Sequence, residues 1–407
     1  MSRHGSVRRR GAPLSLLVAG AAAIVVALVM QHGGIGRDGG ERAGQSVGPD
    51  AVGATEADAP GAGPSGAGPS SAAGTASGAA GAIRQLPQGL EDRGWIAEVA
   101  SQRWIAGSLS GRILVLPNDE IGLTATATSV VSVRYSGSGA TSTVRVRDFA
   151  GRRLRVSVDR PGTISSAVIA GSTLFVAGDT GTGGGADAGV QAISLADGSV
   201  RDLIPAGPAP ADAPGPVTRG QLRLSPSGRT LGAPLCAGDQ CSVDLVDLPT
   251  GARSTPVRNA NAFLLALTDQ VIFLTDGFST SIRAVDAATG QERWSLVNAQ
   301  IGGVAPSSDG ARVVIAYLPD LDRGGPFTFT LASADAATGG LTVLLRRPAD
   351  AEAPTFHPGL SGDQFAVIGN GGPLSEVLAG TGHRVALTLV DAISGTTLPD
   401  ALTLAAP

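Results

Sequence analysis

From about Ile83 to the C-terminus, short apolar stretches of alternating character are separated by turn residues, the period of half-buried β-strands. A turn signature recurs between them: a strand, an Asp, a Gly, then another strand. Its clearest copies are Asp247-Leu-Pro-Thr-Gly251, Asp286-Ala-Ala-Thr-Gly290, Asp335-Ala-Ala-Thr-Gly339 and Asp391-Ala-Ile-Ser-Gly395. Weaker copies are Asp148-Phe-Ala-Gly151, Ala196-Asp197-Gly198 and Ser108-Leu-Ser-Gly111. Successive glycines lie 40, 47, 53, 39, 49 and 56 residues apart. A period of roughly 40–50 residues is the length of a four-stranded propeller blade. In such a turn the Asp carboxylate accepts backbone N–H groups just ahead of it, and the Gly supplies a positive φ without a steric penalty. A second signature, Ser225-Pro-Ser-Gly228 and Ser307-Ser-Asp-Gly310, precedes it by about one strand pair and sits between strands such as Ile301–Ala305 and Val313–Tyr317.

The expected fold is therefore all-β, a β-propeller over residues 83–407. Seven turn signatures favour seven blades. The first unit, Trp95 to Leu116, is short, so six blades with an N-terminal closing strand is one alternative and eight is another. A β-sandwich also has many short strands but lacks the long period.

The segment Ala284-Val-Asp286-Ala-Ala-Thr289-Gly290-Gln-Glu-Arg-Trp294 resembles the docking motif of quinoprotein-type (PQQ-like) propellers, and the Ser-Pro-Ser-Gly and Ser-Ser-Asp-Gly turns resemble WD-type or YVTN-type repeats. The resemblance implies that Trp294 packs between blades, while the matching position after Gly339 is Val343. Quinoprotein dehydrogenases hold their cofactor under a vicinal disulfide, and this chain has no adjacent cysteines. The resemblance supports the fold and not quinone chemistry.

Composition adds a location. Arg8-Arg9-Arg10 precedes an uncharged apolar run, residues 12–30. As a helix those residues span about 28 Å, near the ~30 Å of a bilayer core. The run is longer than a signal-peptide core, ends without a small-x-small site, and has no following cysteine. It reads as an uncleaved signal anchor, with a cleaved signal peptide as the alternative. The arginines of residues 1–11 stay in the cytoplasm and the rest lies outside. Residues 31–82 are Gly, Ala, Ser and Pro with almost no large apolar side chains, a disordered linker.

All 30 basic residues of the 407 are arginine, and the formal net charge is −4. With +4 in the basic tail, the remainder carries −8, a poor surface for nucleic acid. Membrane contact is expected through residues 12–30 alone, and the oligomeric state is open.

Candidate chemistry is sparse. Cys236 and Cys241, the only cysteines, flank a short hairpin loop and are expected as a disulfide outside the cell. His357 and His383 are the only histidines of the body and lack companions for a zinc site. No nucleophile elbow or phosphate loop occurs, and no cofactor or metal is implied. Long loops on a rigid scaffold concentrate binding residues. The b–c and d–a connections are the elaborated ones: Asp179–Gly189, Pro319–Pro326, Asn370–His383, Pro205–Gly220 and Arg347–Pro354. Asp187, Asp320, Asp322, Arg323 and His383 are the binding-face candidates on them. The expected function is a non-catalytic binding or scaffold module at the outer face of a membrane, its partner an envelope protein or peptide. The alternative is a lactonase-like propeller hydrolase with a metal at the central channel.

Overall fold

The computed structural model describes Leu90 and residues 93–405, apart from residues 100–102, 110–111, 138–140, 150–152, 180–186, 208–216, 239, 320–326, 350–353, 363 and 371–383. The basic tail, the apolar run 12–30 and the linker 31–82 lie outside the described residues.

Twenty-eight described strands form seven antiparallel sheets in chain order. Blade 1 contains β1 (Gly94–Val99), β2 (Arg103–Ser108) and β3 (Ile113–Val115). Blade 2 contains β4 (Ile121–Ala125), β5 (Ser129–Tyr135), β6 (Thr141–Asp148) and β7 (Leu154–Pro161). Blade 3 contains β8 (Thr163–Ala170), β9 (Thr173–Asp179), β10 (Asp187–Ser194) and β11 (Val200–Ile204). In blade 4 the first strand is broken into β12 (Val217–Arg219) and β13 (Arg223–Leu224), followed by β14 (Thr230–Ala237), β15 (Gln240–Asp247) and β16 (Arg253–Ala260). Blade 5 is β17 (Phe263–Leu267), β18 (Val271–Thr275), β19 (Ser281–Asp286) and β20 (Glu292–Val297). Blade 6 is β21 (Ala299–Pro306), β22 (Arg312–Pro319), β23 (Thr328–Asp335) and β24 (Leu341–Pro348). Blade 7 is β25 (Thr355–Phe356), β26 (Phe365–Asn370), β27 (Arg384–Asp391) and β28 (Thr397–Ala405). This is a seven-bladed propeller, and the short first unit is a blade of its own.

Burial follows strand position. Second strands are covered on both faces by neighbouring blades, so β18 (Val-Ile-Phe-Leu-Thr) is buried at every residue. Outer strands face solvent, so β24 holds only exposed and half-buried residues and carries Arg346 and Arg347. The core lies between blades. Leu90, Trp95, Ile105 and Leu109 of the first unit pack with Leu360, Val367, Leu387 and Leu389 of the last, which closes the ring.

Two buried charge clusters lie within single blades, one in blade 2 and one in blade 4. Glu120, 1% exposed, accepts hydrogen bonds from Ser132 Oγ at 2.6 Å, Arg145 Nη1 at 2.5 Å and both terminal nitrogens of Arg147. Burial acts to raise its pKa, but hydrogen bonds from Arg147, Ser132 and Arg145 outweigh it and hold the carboxyl below its usual value. Arg219 meets Asp244 at 2.9 Å in a second buried pair. Such pairs fix geometry more than they add stability.

Candidate interaction face

The propeller has two rims. The turn rim carries the links between first and second strands and between third and fourth. On it the Asp turns have the chemistry expected. Asp247 Oδ1 accepts Thr250 N at 2.9 Å and Thr250 Oγ1 at 2.7 Å, while Gly251, at φ 73°, donates its N–H to Asp247 O at 2.7 Å. Asp286 with Thr289, Asp335 with Thr338, and Asp391 with Ser394 repeat the arrangement. These hydrogen bonds lower the Asp pKa values, Asp247 to about 2, with Thr250 the leading cause. In blade 3 Ser194 takes the Asp position, receiving Gly198 N on its carbonyl, and Asp197 instead accepts from Ser199.

Gly198, Gly290, Gly339 and Gly395 approach the preceding blade, whereas Gly251 faces open space. A Cβ on Gly339 would stand 2.6 Å from Trp294 Cγ, and Trp294 Nε1 donates to Ala336 O at 3.0 Å. Trp294 thus packs between blades 5 and 6, as its position in the motif implies. In the next blade, Gly395 faces the backbone of Leu344 rather than a ring. The turn rim is therefore occupied with holding the ring together.

The loop rim carries the remaining connections. Of the candidates placed on it from sequence, Asp187 opens β10 with Asp179 as its backbone partner. Asp320, Asp322, Arg323 and His383 lie outside the described residues. Nothing described brings the five together.

A different feature of this rim stands out. Phe278 is 82% exposed at the tip between β18 and β19. Val297, at the end of β20, is 61% exposed, and Phe263, at the start of β17, is 41% exposed. The tip is firmly built. Asp276 accepts hydrogen bonds from Phe278 N at 3.1 Å, Thr280 N at 2.8 Å, Thr280 Oγ1 at 2.7 Å and Ser281 Oγ at 2.9 Å. Burial opposes ionisation of this carboxyl, yet the Thr280 and Ser281 bonds hold its pKa below the usual value. Blade 6 pins the same tip: Ile301 N donates to Ser279 O at 2.8 Å and Ala299 N to Thr280 O at 3.1 Å. Ser279 and Asn298 both sit at φ 56°, the left-handed region that costs a non-glycine residue about 1 kcal/mol or more.

Blade 4 extends the patch. Cys236 and Cys241 form the expected disulfide across the β14–β15 hairpin. Cys241 pairs with Ala260, and Asn261 and the Phe263 ring lie beside Gly277 at the Phe278 tip. The exposed ring thus continues into a cross-linked hairpin.

Two further polar groups lie on or just after innermost strands, Arg223 in β13 and His357 following β25. The first strands of blades 2, 3, 5 and 6 each break register at one residue, Leu123, Ser165, Leu265 and Gly302, a bulge that interrupts pairing. Blade 4 breaks its strand instead, and Arg223 Nε reaches across to Leu265 O at 2.6 Å. Arg223 lies deep in the molecule while half-buried by surface area, and burial lowers its pKa to about 10. His357, after the first strand of blade 7, is likewise deep but half-buried, and burial pushes its pKa down to about 4. Among the described residues no three His, Cys, Asp or Glu side chains group as metal ligands. The lactonase-like alternative finds no ligand set there.

No family model and no curated protein matches the chain. Solved structures match in outline. A prolyl endopeptidase aligns over 79% of this chain and 52% of its own at 10% identity, with a TM-score of 0.49. A candidate 6-phosphogluconolactonase from Bacteroides uniformis aligns over 78% and 97% at 13% identity, with a TM-score of 0.48. TolB from Acinetobacter baumannii aligns over 76% and 79% at 15% identity, with a TM-score of 0.38. Similarity at this level carries no argument about fold, substrate or partner, and the chain stands as an all-β, seven-bladed propeller on its own strand arrangement.

Proposed function

We propose that the chain is a membrane-tethered, extracytoplasmic propeller that docks an envelope protein through its loop rim, with Phe278 at the centre of contact. The observation that carries this reading is an aromatic ring left 82% exposed on a tip that four side-chain hydrogen bonds and blade 6 hold rigid. Only nine Phe occur in the chain, and Phe149, Phe175, Phe273, Phe329 and Phe356 are buried in the core. A ring in water beside further exposed apolar residues marks an association surface, and preorganised aromatic anchors dominate binding energy. The disulfide supports an oxidising compartment, and Arg8–Arg10 with the run 12–30 support the tether.

Burying a Phe removes about 150 Å² from water, worth about 4 kcal/mol at ~25 cal/mol/Å². Allowing for ordering costs, Phe278→Ser is expected to weaken partner binding by about 2 kcal/mol, roughly 30-fold. The test is capture from a detergent-solubilised membrane fraction with the full chain as bait, comparing wild type, Phe278→Ser and the combined Asp320→Ala, Asp322→Ala and Arg323→Ala variant. Loss in Phe278→Ser supports the blade 5 face. Loss in the triple variant alone moves the site to the connection after β22.

A further inference from the structure

The Asp turns of blades 5 and 6 are copies down to their hydrogen bonds. Asp286 Oδ1 accepts Ala288 N at 2.9 Å and Thr289 N at 2.8 Å, and Asp335 Oδ1 accepts Ala337 N and Thr338 N at the same two distances. The residue after each Asp ties back to the turn between the first two strands of its own blade. Ala287 N donates to Gln270 O at 2.9 Å, and Ala336 N to Ala311 O at 2.9 Å. The carbonyls of Ala287 and Ala336 are therefore held in the same attitude toward the preceding blade.

What meets those carbonyls differs. Ala336 O accepts the Trp294 indole N–H, and the ring covers Gly339. Trp294 pairs with Ala284, two residues before Asp286. In blade 4 the residue two before Asp247 is Leu245, and its partner is Ser254. Ser254 thus stands in the register position of Trp294 with no ring to offer. Pro256, farther along β16, takes over the glycine contact with its backbone, since a Cβ on Gly290 would stand 2.1 Å from Pro256 O. Ala287 and Ala288 are left uncovered, and among the described residues no donor reaches Ala287 O.

The space is a cavity of about 240 Å³ between blades 4 and 5 on the turn rim. Leu245 and Ala287, both buried, supply apolar wall, and Ala252, Ser254 and Ala288 supply small side chains around it. At ~30 Å³ per water the cavity has room for about eight waters, enough for one bicyclic ring of the kind that fills the next seam. The carboxylates beside it are already engaged. Asp269 accepts Ser227 Oγ and Thr230 Oγ1, each at 2.9 Å, and Asp247 accepts Arg229 Nε at 2.8 Å.

We propose that this cavity binds a small planar aromatic ligand with an N–H donor, an indole-type ring that lies against Leu245 and Ala287 and donates to Ala287 O. Apolar walls with one placed polar group are the usual make-up of a small-molecule site, and a ring with a polar N–H matches both. The ligand takes the place that Trp294 fills one blade on. The site is independent of docking at Phe278, which lies on the opposite rim.

The experiment titrates indole into the full chain in detergent micelles and follows the methyl resonances of Leu245, Ala287 and Ala288. Saturable shifts are expected, with half-saturation at about 1 mM or below. Benzofuran has the same shape without the N–H, and it is expected to bind at least about tenfold more weakly because it leaves Ala287 O buried without a donor. Ser254→Trp builds the ring into the chain, and it is expected to abolish the shifts and raise the urea midpoint. Shifts in the unaltered chain that climb without saturating to about 10 mM overturn the proposal. Equal affinities for indole and benzofuran overturn recognition through Ala287 O. Saturable shifts that persist in folded Ser254→Trp place the ring outside this seam and overturn it as well.

Discussion

Replacing Trp294 with alanine removes the indole that blade 5 lays across Gly339 of blade 6. The ring is half-buried, its N–H reaches Ala336 O at 3.0 Å, and its centroid lies 6.0 Å from that of Phe273. Full burial of a Trp is worth about 3–5 kcal/mol on truncation, so a half-buried ring with one hydrogen bond is expected to cost about 3 kcal/mol. Gly339→Ala acts on the same contact from the other side. It places a Cβ 2.6 Å from Trp294 Cγ at a residue with φ 74°. The left-handed backbone costs roughly 1–2 kcal/mol and the displaced indole about as much again. In a Trp294→Ala background only the backbone cost remains, so the double variant is expected to be about 1–2 kcal/mol more stable than the sum of the singles. A domain of this size can unfold through intermediates. Urea midpoints by far-ultraviolet circular dichroism are therefore paired with hydrogen exchange along β20 and β23. Additivity within about 0.5 kcal/mol refutes the interblade contact as the reason for glycine there.

Other expectations follow from single sites. The folded chain is expected to show no free thiol before reduction; stoichiometric labelling of Cys236 or Cys241 in non-reducing denaturant contradicts the disulfide. His357 has a folded pKa of about 4 against 6.5 for the free side chain, so the unfolded chain binds its proton first and stability falls as pH drops from about 6.5 to about 4. The full shift corresponds to about 3 kcal/mol. Its partial exposure makes that a ceiling, and His357→Gln is expected to flatten the slope in urea titrations over this window. The Asp turns act lower: with folded pKa values below the unfolded ~3.9, their contribution is present above that value and is lost as pH falls through about 2 for Asp247. A reporter active only outside the cytoplasm, fused at Pro407, is expected to be active. Activity of a cytoplasm-only reporter contradicts the topology.

Much of the fold is legible in the sequence because its turns are chemically specific. Asp247, Asp286, Asp335 and Asp391 each carry the Gly four residues on that adopts a positive φ. Even the weak copy in blade 3 marks a true turn, although Ser194 and not Asp197 holds the equivalent position. The candidate face was far less legible. Reading function from loop length points to the long connections around Asp187, Asp320 and His383, whereas Phe278 sits in the short turn Asp276–Thr280. Its exposure depends on how blade 6 pins the tip. Glu120, in Pro117-Asn-Asp-Glu, reads as a solvated loop residue, and its burial against Arg145 and Arg147 of β6 arises only when the connection folds against the sheet of blade 2. Arg223 similarly meets Leu265 O of the next blade only when blades stack, which no local pattern encodes.

We propose the loop rim, at Phe278, as the place where this propeller meets a protein. The most direct measurement is quantitative capture of membrane-fraction proteins by the full chain, with Phe278→Ser compared against Ile393→Ser. Ile393 is 66% exposed in the Asp391 turn on the opposite rim and serves as a matched loss of surface apolarity. A discrete partner is expected to be retained by wild type and Ile393→Ser and depleted roughly 30-fold by Phe278→Ser. Retention by Phe278→Ser with loss in Ile393→Ser places recognition on the turn rim and contradicts it.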